Sequence, residues 1–158
     1  MFVIEFDTIF SPATVCFVHD CQSRKAALRI AAELVGDWKK SIDPKILLEK
    51  LLAREGLGST VLEDTRVSIP HCRFNGCSAP IGAILRFIPH VMFGTDGAVN
   101  MSFVLVVPIE ENKLHLEILN GLAKLCVSNS RLNYLMDATT PQDLYDRFIQ
   151  TARKVNSG

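Results

Sequence analysis

A chain of 158 residues, 48% hydrophobic and 22% charged, has the length and apolar content of one domain, 1–158, that builds its own core. Its 17 Lys and Arg balance 17 Asp and Glu, which excludes the overall basic footprint of a nucleic-acid binder and the acidic tail of a solvating segment. Apolar runs such as 103–108 are too short to cross a bilayer. An N-terminus carrying Glu5 and Asp7 without a basic stretch does not read as a signal peptide, so no membrane insertion is expected.

In chain order, 2–6 and 14–18 are short β-rich stretches, with Ser11-Pro12 between them as a turn signal. Ser23 is an N-cap for a helix whose apolar stripe is Ala27, Ile30, Ala31, Leu34, Val35 and Trp38. Asp43-Pro44 opens a second helix with Leu47, Leu48, Leu51 and Leu52 on its apolar face, closed by Gly56 and Gly58. Strands are expected at 67–69, 81–88 and 99–107, the last two joined by a turn at Thr95-Asp96-Gly97. A third helix spans about 112–127 and a short one lies near 132–136. A final helix to about 154 is opened by Thr140-Pro141-Gln142-Asp143, with the Asp143 carboxylate reaching back to the cap. Interleaved strands and helices give an α/β class, with helices covering a mixed sheet.

Three residues stand out chemically. Arg54 prolongs the apolar stripe of its helix into the last turn, where a cation is favoured; alone, it reads as a carbonyl cap or a snorkelling side chain. His115 heads the stripe Ile118, Leu119, Leu122, Ala123 and Cys126 near a helix N-terminus, where anions are attracted. A histidine packed at the core rim explains the same pattern. His71 ends the run Val67-Ser68-Ile69-Pro70; since proline cannot donate to a ladder, the strand stops or lies at an edge there, leaving either a nucleophile or a solvated histidine at a strand end. His19 and His90 read as solvated.

The five cysteines suit free thiols in a reducing cytoplasm. Cys16 and Cys21, with Cys72 and Cys77 and the nearby His19 and His71, are the makings of a rival zinc module, at the long end of structural zinc spacing.

The motifs combine in order. Leu51-Leu52-Ala53-Arg54-Glu55, Gly58-Ser59-Thr60, Val67-Ser68-Ile69-Pro70-His71, and Val104 to Pro108 followed by His115-Leu116 and Leu119 to Ala123 resemble the enzyme IIA domain of the mannitol/fructose/nitrogen-regulatory branch of the bacterial phosphotransferase system. The Ser23 to Leu28 opening and the Asp143 to Tyr145 helix match as well, so the resemblance runs from about 10 to 148. It implies a phosphocarrier rather than an enzyme turning over a small substrate. His71 takes the phosphoryl group from an HPr-like donor protein, His115 is the second active-site histidine and Arg54 the active-site arginine. Ser59, Thr60 and Arg73 bind the phosphoryl group or shape the loop. No cofactor and no metal are implied; the onward partner is a regulatory target or an enzyme IIB domain.

Two departures from the family pattern stand beside the resemblance. The loop after Thr60 carries Glu63 and Asp64, able to repel a donor if they face the site. Cys72 replaces a glycine, which is costly if the backbone there is left-handed. The opening segment 10–15 resembles the nitrogen-regulatory type. The alternatives are a sugar-specific fructose/mannitol component and a binding regulator of the same fold that is rarely phosphorylated.

Overall fold

The computed structural model describes residues 4–110 and 112–157. Six strands form one mixed sheet: β1 (Phe10–His19), β2 (Val61–Leu62), β3 (Val67–Ser68), β4 (His71–Phe74), β5 (Ile81–Met92) and β6 (Ala98–Pro108). The order is β1-β5-β6-β3-β2, with β4 also on β6. β5 and β6 run antiparallel, β1 runs parallel to β5, and β3 and β4 run parallel to β6. The short antiparallel pair β2–β3 ends the sheet.

Helices cover both faces. One core gathers Ala27, Ala31 and Val35 of α2 (Arg24–Trp38) and Leu47 and Leu51 of α3 (Pro44–Glu55) against Leu85, Val104 and Val106. The other packs Phe6 and Ile9 of α1 (Phe6–Ile9), and Ile118 and Leu122 of α4 (Asn112–Cys126), against Ile84, Phe103 and Leu105. Leu132 and Leu135 of α5 (Asn129–Met136), with Phe148 of α6 (Pro141–Ser157), complete it. The sheet alternates side chains between these cores, the period-two pattern of a strand covered on both faces.

The caps follow the sequence. Ser23 accepts from Ala26 N and Asp43 accepts from Lys45 N, each satisfying a first-turn donor that the helix cannot. Gly36 lets α3 start against α2: a Cβ there would stand 3.1 Å from Pro44 Cδ.

Several expectations change. Phe6 belongs to α1 rather than to a strand, and 1–3 lie outside the described residues. Ser11-Pro12 sits inside β1, not in a turn; the register against β5 shifts between Phe10 and Val15, so the strand accommodates the proline at a bulge. Thr14 closes that irregularity, donating to the Gly82 carbonyl at 2.7 Å. Trp38 is 49% exposed, while Leu28 and Ala32 are buried, so the buried face of α2 is turned from the expected stripe. The Asp143 carboxylate pairs with Arg147 one turn on, leaving Thr140 Oγ1 to accept from Asp143 N.

Candidate functional site

The site grows from an interruption in the sheet. β3 pairs with Met101 and Ser102, and β4 resumes opposite Leu105 to Pro108. Between them Pro70 has no N–H to give; its carbonyl accepts from Leu105 N at 2.9 Å. Ile69 turns aside, its N–H donating to the Thr60 carbonyl at 2.9 Å. The Ile69 carbonyl accepts from His71 Nδ1 at 2.6 Å. An acceptor on that side requires the proton on Nδ1, so the neutral ring keeps its lone pair at Nε2.

Period two along β4 decides what surrounds His71. Cys72 and Phe74 enter the α2/α3 core, at 7% and 5% exposure, while His71 is half-buried and Arg73 exposed. Next to His71 in sequence, Phe74 reads either as an apolar contact for a docking protein or as a core residue; the fold makes it core. Cys72 is in strand conformation and is absent from the residues with positive φ, so the replaced glycine carries no left-handed strain.

His71 lines an open cleft of about 260 Å³ together with Arg54, Ser59, Thr60 and Asn120. Arg54 reaches it from the last turn of α3, its Nη1 donating to the Gly58 carbonyl at 3.0 Å. The same arginine thus ties down its own loop while presenting charge to the cleft. The His115 ring, from the first turn of α4, lies 5.4 Å from the His71 ring, edge to face. It is 8% exposed, and neither ring nitrogen has a partner among the described residues. A buried polar atom without a partner costs about 1–3 kcal/mol, a cost that an incoming acceptor beside the ring would relieve.

Electrostatics keep both rings neutral near pH 7. Burial lowers the pKa of His71, the Ile69 hydrogen bond raises it, and the Arg54 charge lowers it further. Burial lowers His115 to about 4, with His71, Arg73 and Arg54 acting in the same direction. A depressed histidine stays unprotonated in the fold while the unfolded chain takes up a proton, so stability is complete above pH 6.5 and declines as pH falls towards 4. For His115 the loss amounts to about 3 kcal/mol. Denaturant unfolding at neutral pH and near the acid end should show His115→Gln with a shallower acid decline than wild type; equal declines would contradict the buried neutral histidine.

The three loop residues differ in role. Thr60 is buried and donates Oγ1–H to Glu55 Oε2 at 2.6 Å, which makes it an anchor of the loop. Ser59 is exposed at the cleft, its Oγ accepting from Val61 N. Arg73 binds the Ile109 carbonyl at 2.8 Å, fastening the segment that leads to α4. Ile109 is 51% exposed, whereas Leu114 packs partly into the α4 core. Asn120 escaped sequence reasoning: it sits on the polar side of an apolar stripe, and only folding turns it into the cleft. Glu63 and Asp64 line a neighbouring cleft with Arg66 and Asp96; Ser59, Val61 and Leu62 line both clefts.

The cysteines do not gather into a metal site. Among the described residues no three of His, Cys, Asp and Glu are placed to hold an ion. Burial raises the thiol of Cys16 to about 11 and those of Cys72 and Cys126 to about 12, unfavourable for thiolate ligands.

The chain is similar to known proteins over most of its length. The chain is 35% identical over 145 residues to a nitrogen regulatory protein of Pseudomonas aeruginosa, covering 90% of this chain and 94% of that one. The crystal structure of the nitrogen regulatory protein IIA-Ntr from Neisseria meningitidis superposes with a TM-score of 0.80 at 31% identity, over 91% of this chain and 97% of that one. The Escherichia coli mannitol enzyme IIA, solved in complex with phosphorylated enzyme IIB, shares the fold with a TM-score of 0.70 at 16% identity, over 92% and 99% of the two chains. The family model for the phosphoenolpyruvate-dependent sugar phosphotransferase system, EIIA 2, matches residues 8–151, and the chain belongs to that family.

Proposed function

We propose that this protein is a phosphohistidine carrier of the nitrogen-regulatory type, with His71 as the acceptor. One observation carries the reading: the Ile69 carbonyl accepts from His71 Nδ1, which leaves Nε2 bare on a ring that shares its cleft with Arg54 and lies edge to face with the unpartnered His115. In the transfer, the Nε2 lone pair attacks the phosphorus of a phosphohistidine on an HPr-like donor protein. The donor's N–P bond breaks, and its electron pair stays on the donor imidazole. The proton remains on Nδ1, where the Ile69 carbonyl stabilises the positive charge that builds on the ring. Arg54 supplies guanidinium donors to the phosphoryl oxygens, and His115 donates one ring N–H. Positioning and charge neutralisation are what this chemistry demands of a protein. His71, Arg54, Ser59 and Asn120 can supply them without a cofactor.

The regulatory assignment draws on the nitrogen regulatory relatives, and the protein-to-protein step on the mannitol neighbour, which was solved with its phosphorylated IIB partner. No described helix is long and apolar enough to cross a membrane, consistent with a carrier that meets its partners in the cytoplasm. The test is incubation with phosphoenolpyruvate and the general phosphotransferase proteins. Acid-labile phosphate approaching one per chain supports the carrier, whereas none under conditions that label a known enzyme IIA favours a binding regulator.

A further inference from the structure

Glu55 stands where a carboxylate is poorly placed. It ends α3, beside the partial negative charge of a helix C-terminus, and is 6% exposed. Burial raises its pKa; the Thr60 hydrogen bond, then Arg24 and Arg54, oppose the rise, and Asp96 adds to it. Its Oε2 accepts from Thr60 Oγ1 at 2.6 Å. Arg24 lies 3.8 Å from Oε1 and is bound to Asp96 at 2.9 Å. The Thr60 carbonyl accepts from Ile69 N at 2.9 Å, and the Ile69 carbonyl accepts from His71 Nδ1 at 2.6 Å. Links of ordinary hydrogen-bond length therefore run from a buried carboxylate, through Thr60 and the Ile69 backbone, to the imidazole in the cleft.

We infer that Glu55 and Thr60 are positioning residues: by holding Thr60 against Ile69 they aim the Ile69 carbonyl at Nδ1 and so fix the His71 tautomer that leaves Nε2 bare. The competing tautomer would set the Nδ1 lone pair against that carbonyl oxygen, two acceptors at hydrogen-bond distance. Pro70 weakens the ladder here, since it has no N–H to give and is held only through its carbonyl, which accepts from Leu105 N; the hold from Thr60 adds to that single bond. Arg54 gains from the same anchoring, since its partner Gly58 lies between Glu55 and Thr60. The effect on transfer rests on the phosphocarrier reading; the effect on the tautomer does not.

The experiment is nitrogen NMR on the unphosphorylated full chain with isotope-labelled histidine, at a pH above the His71 titration, paired with phosphoryl-transfer kinetics. Wild type should show a protonated Nδ1 and an unprotonated Nε2 at His71. In Thr60→Val the pair should move towards the average of the two tautomers. The transfer rate at saturating donor should fall roughly five- to tenfold, the factor of one ordinary hydrogen bond, with KM for the donor unchanged. Thr60→Ser should restore both. A wild-type nitrogen pair in folded Thr60→Val would overturn the proposal, even if the melting temperature dropped. Should an orphaned Glu55 prevent Thr60→Val from folding, the double variant Glu55→Leu/Thr60→Val removes both polar partners together, a change proteins tolerate better. It should show the same tautomer shift, and an unshifted pair there would equally overturn the proposal. If wild type takes up no phosphate, the carrier reading fails, while the nitrogen spectra still decide the positioning role.

Discussion

Replacing His71 with alanine should give a folded protein that takes up no acid-labile phosphate. His71 is half-buried at the edge of the sheet, belongs to neither core and bonds through Nδ1 to a backbone carbonyl, so its loss leaves both cores intact. Labelling is another matter, because among the described residues His71 alone combines a bare imidazole nitrogen with access to the Arg54 cleft. His115 is too deeply buried for a nitrogen on a folded donor to come into line with it. His19 and His90 are exposed but do not line the cleft. Labelling should therefore fall to background while the thermal transition stays close to wild type. A variant that labels like wild type would move the acceptor elsewhere, and one that unfolds would make His71 structural.

Phe74→Glu should unfold the protein rather than weaken a docking surface. Phe74 is 5% exposed and packs in the α2/α3 core with Cys72, Leu51 and Val106. Removing a buried phenylalanine costs about 3–5 kcal/mol, and placing a carboxylate in the space adds several more. The sum matches the whole stability of an ordinary domain, about 5–15 kcal/mol. Circular dichroism and a melting scan would check this. A cooperative transition at the wild-type temperature would show that the β4 parity is wrong. Ile109 and Leu116, at 51% and 61% exposure, and Leu57 beside Gly58, at 85%, are exposed apolar groups close in sequence to the site residues that a partner can touch.

The Phe74 position also marks where sequence reasoning loses its grip. Elements with many periods or a capping residue were legible: α2 behind Ser23, α3 behind Asp43-Pro44, β5, β6 and α4. The strand expected at 67–69 appears as β3, but strands as short as β2 and β4 display no period, and β4 is joined to β3 only through a shared neighbour far along the chain. Without β4 as a strand, Phe74 could not be placed on the opposite face from His71. Ser11-Pro12 misled for a related reason: proline reads as a turn locally, but a bulge against β5 absorbs it. At the site, Arg54 and His115 each stood out as a polar residue at one end of an apolar stripe, and the fold gives both a place beside His71. The tautomer lay beyond the sequence. It depends on one carbonyl, aimed by a peptide that Thr60 holds from across the sheet edge.

The most direct test of the account is to phosphorylate the protein carrying isotope-labelled histidine and to locate the phosphorus by nitrogen–phosphorus NMR. The account predicts a single phosphohistidine at His71, with phosphorus on Nε2 and the proton still on Nδ1 towards Ile69. Phosphorus on Nδ1 of His71, or on either nitrogen of His115, would contradict it.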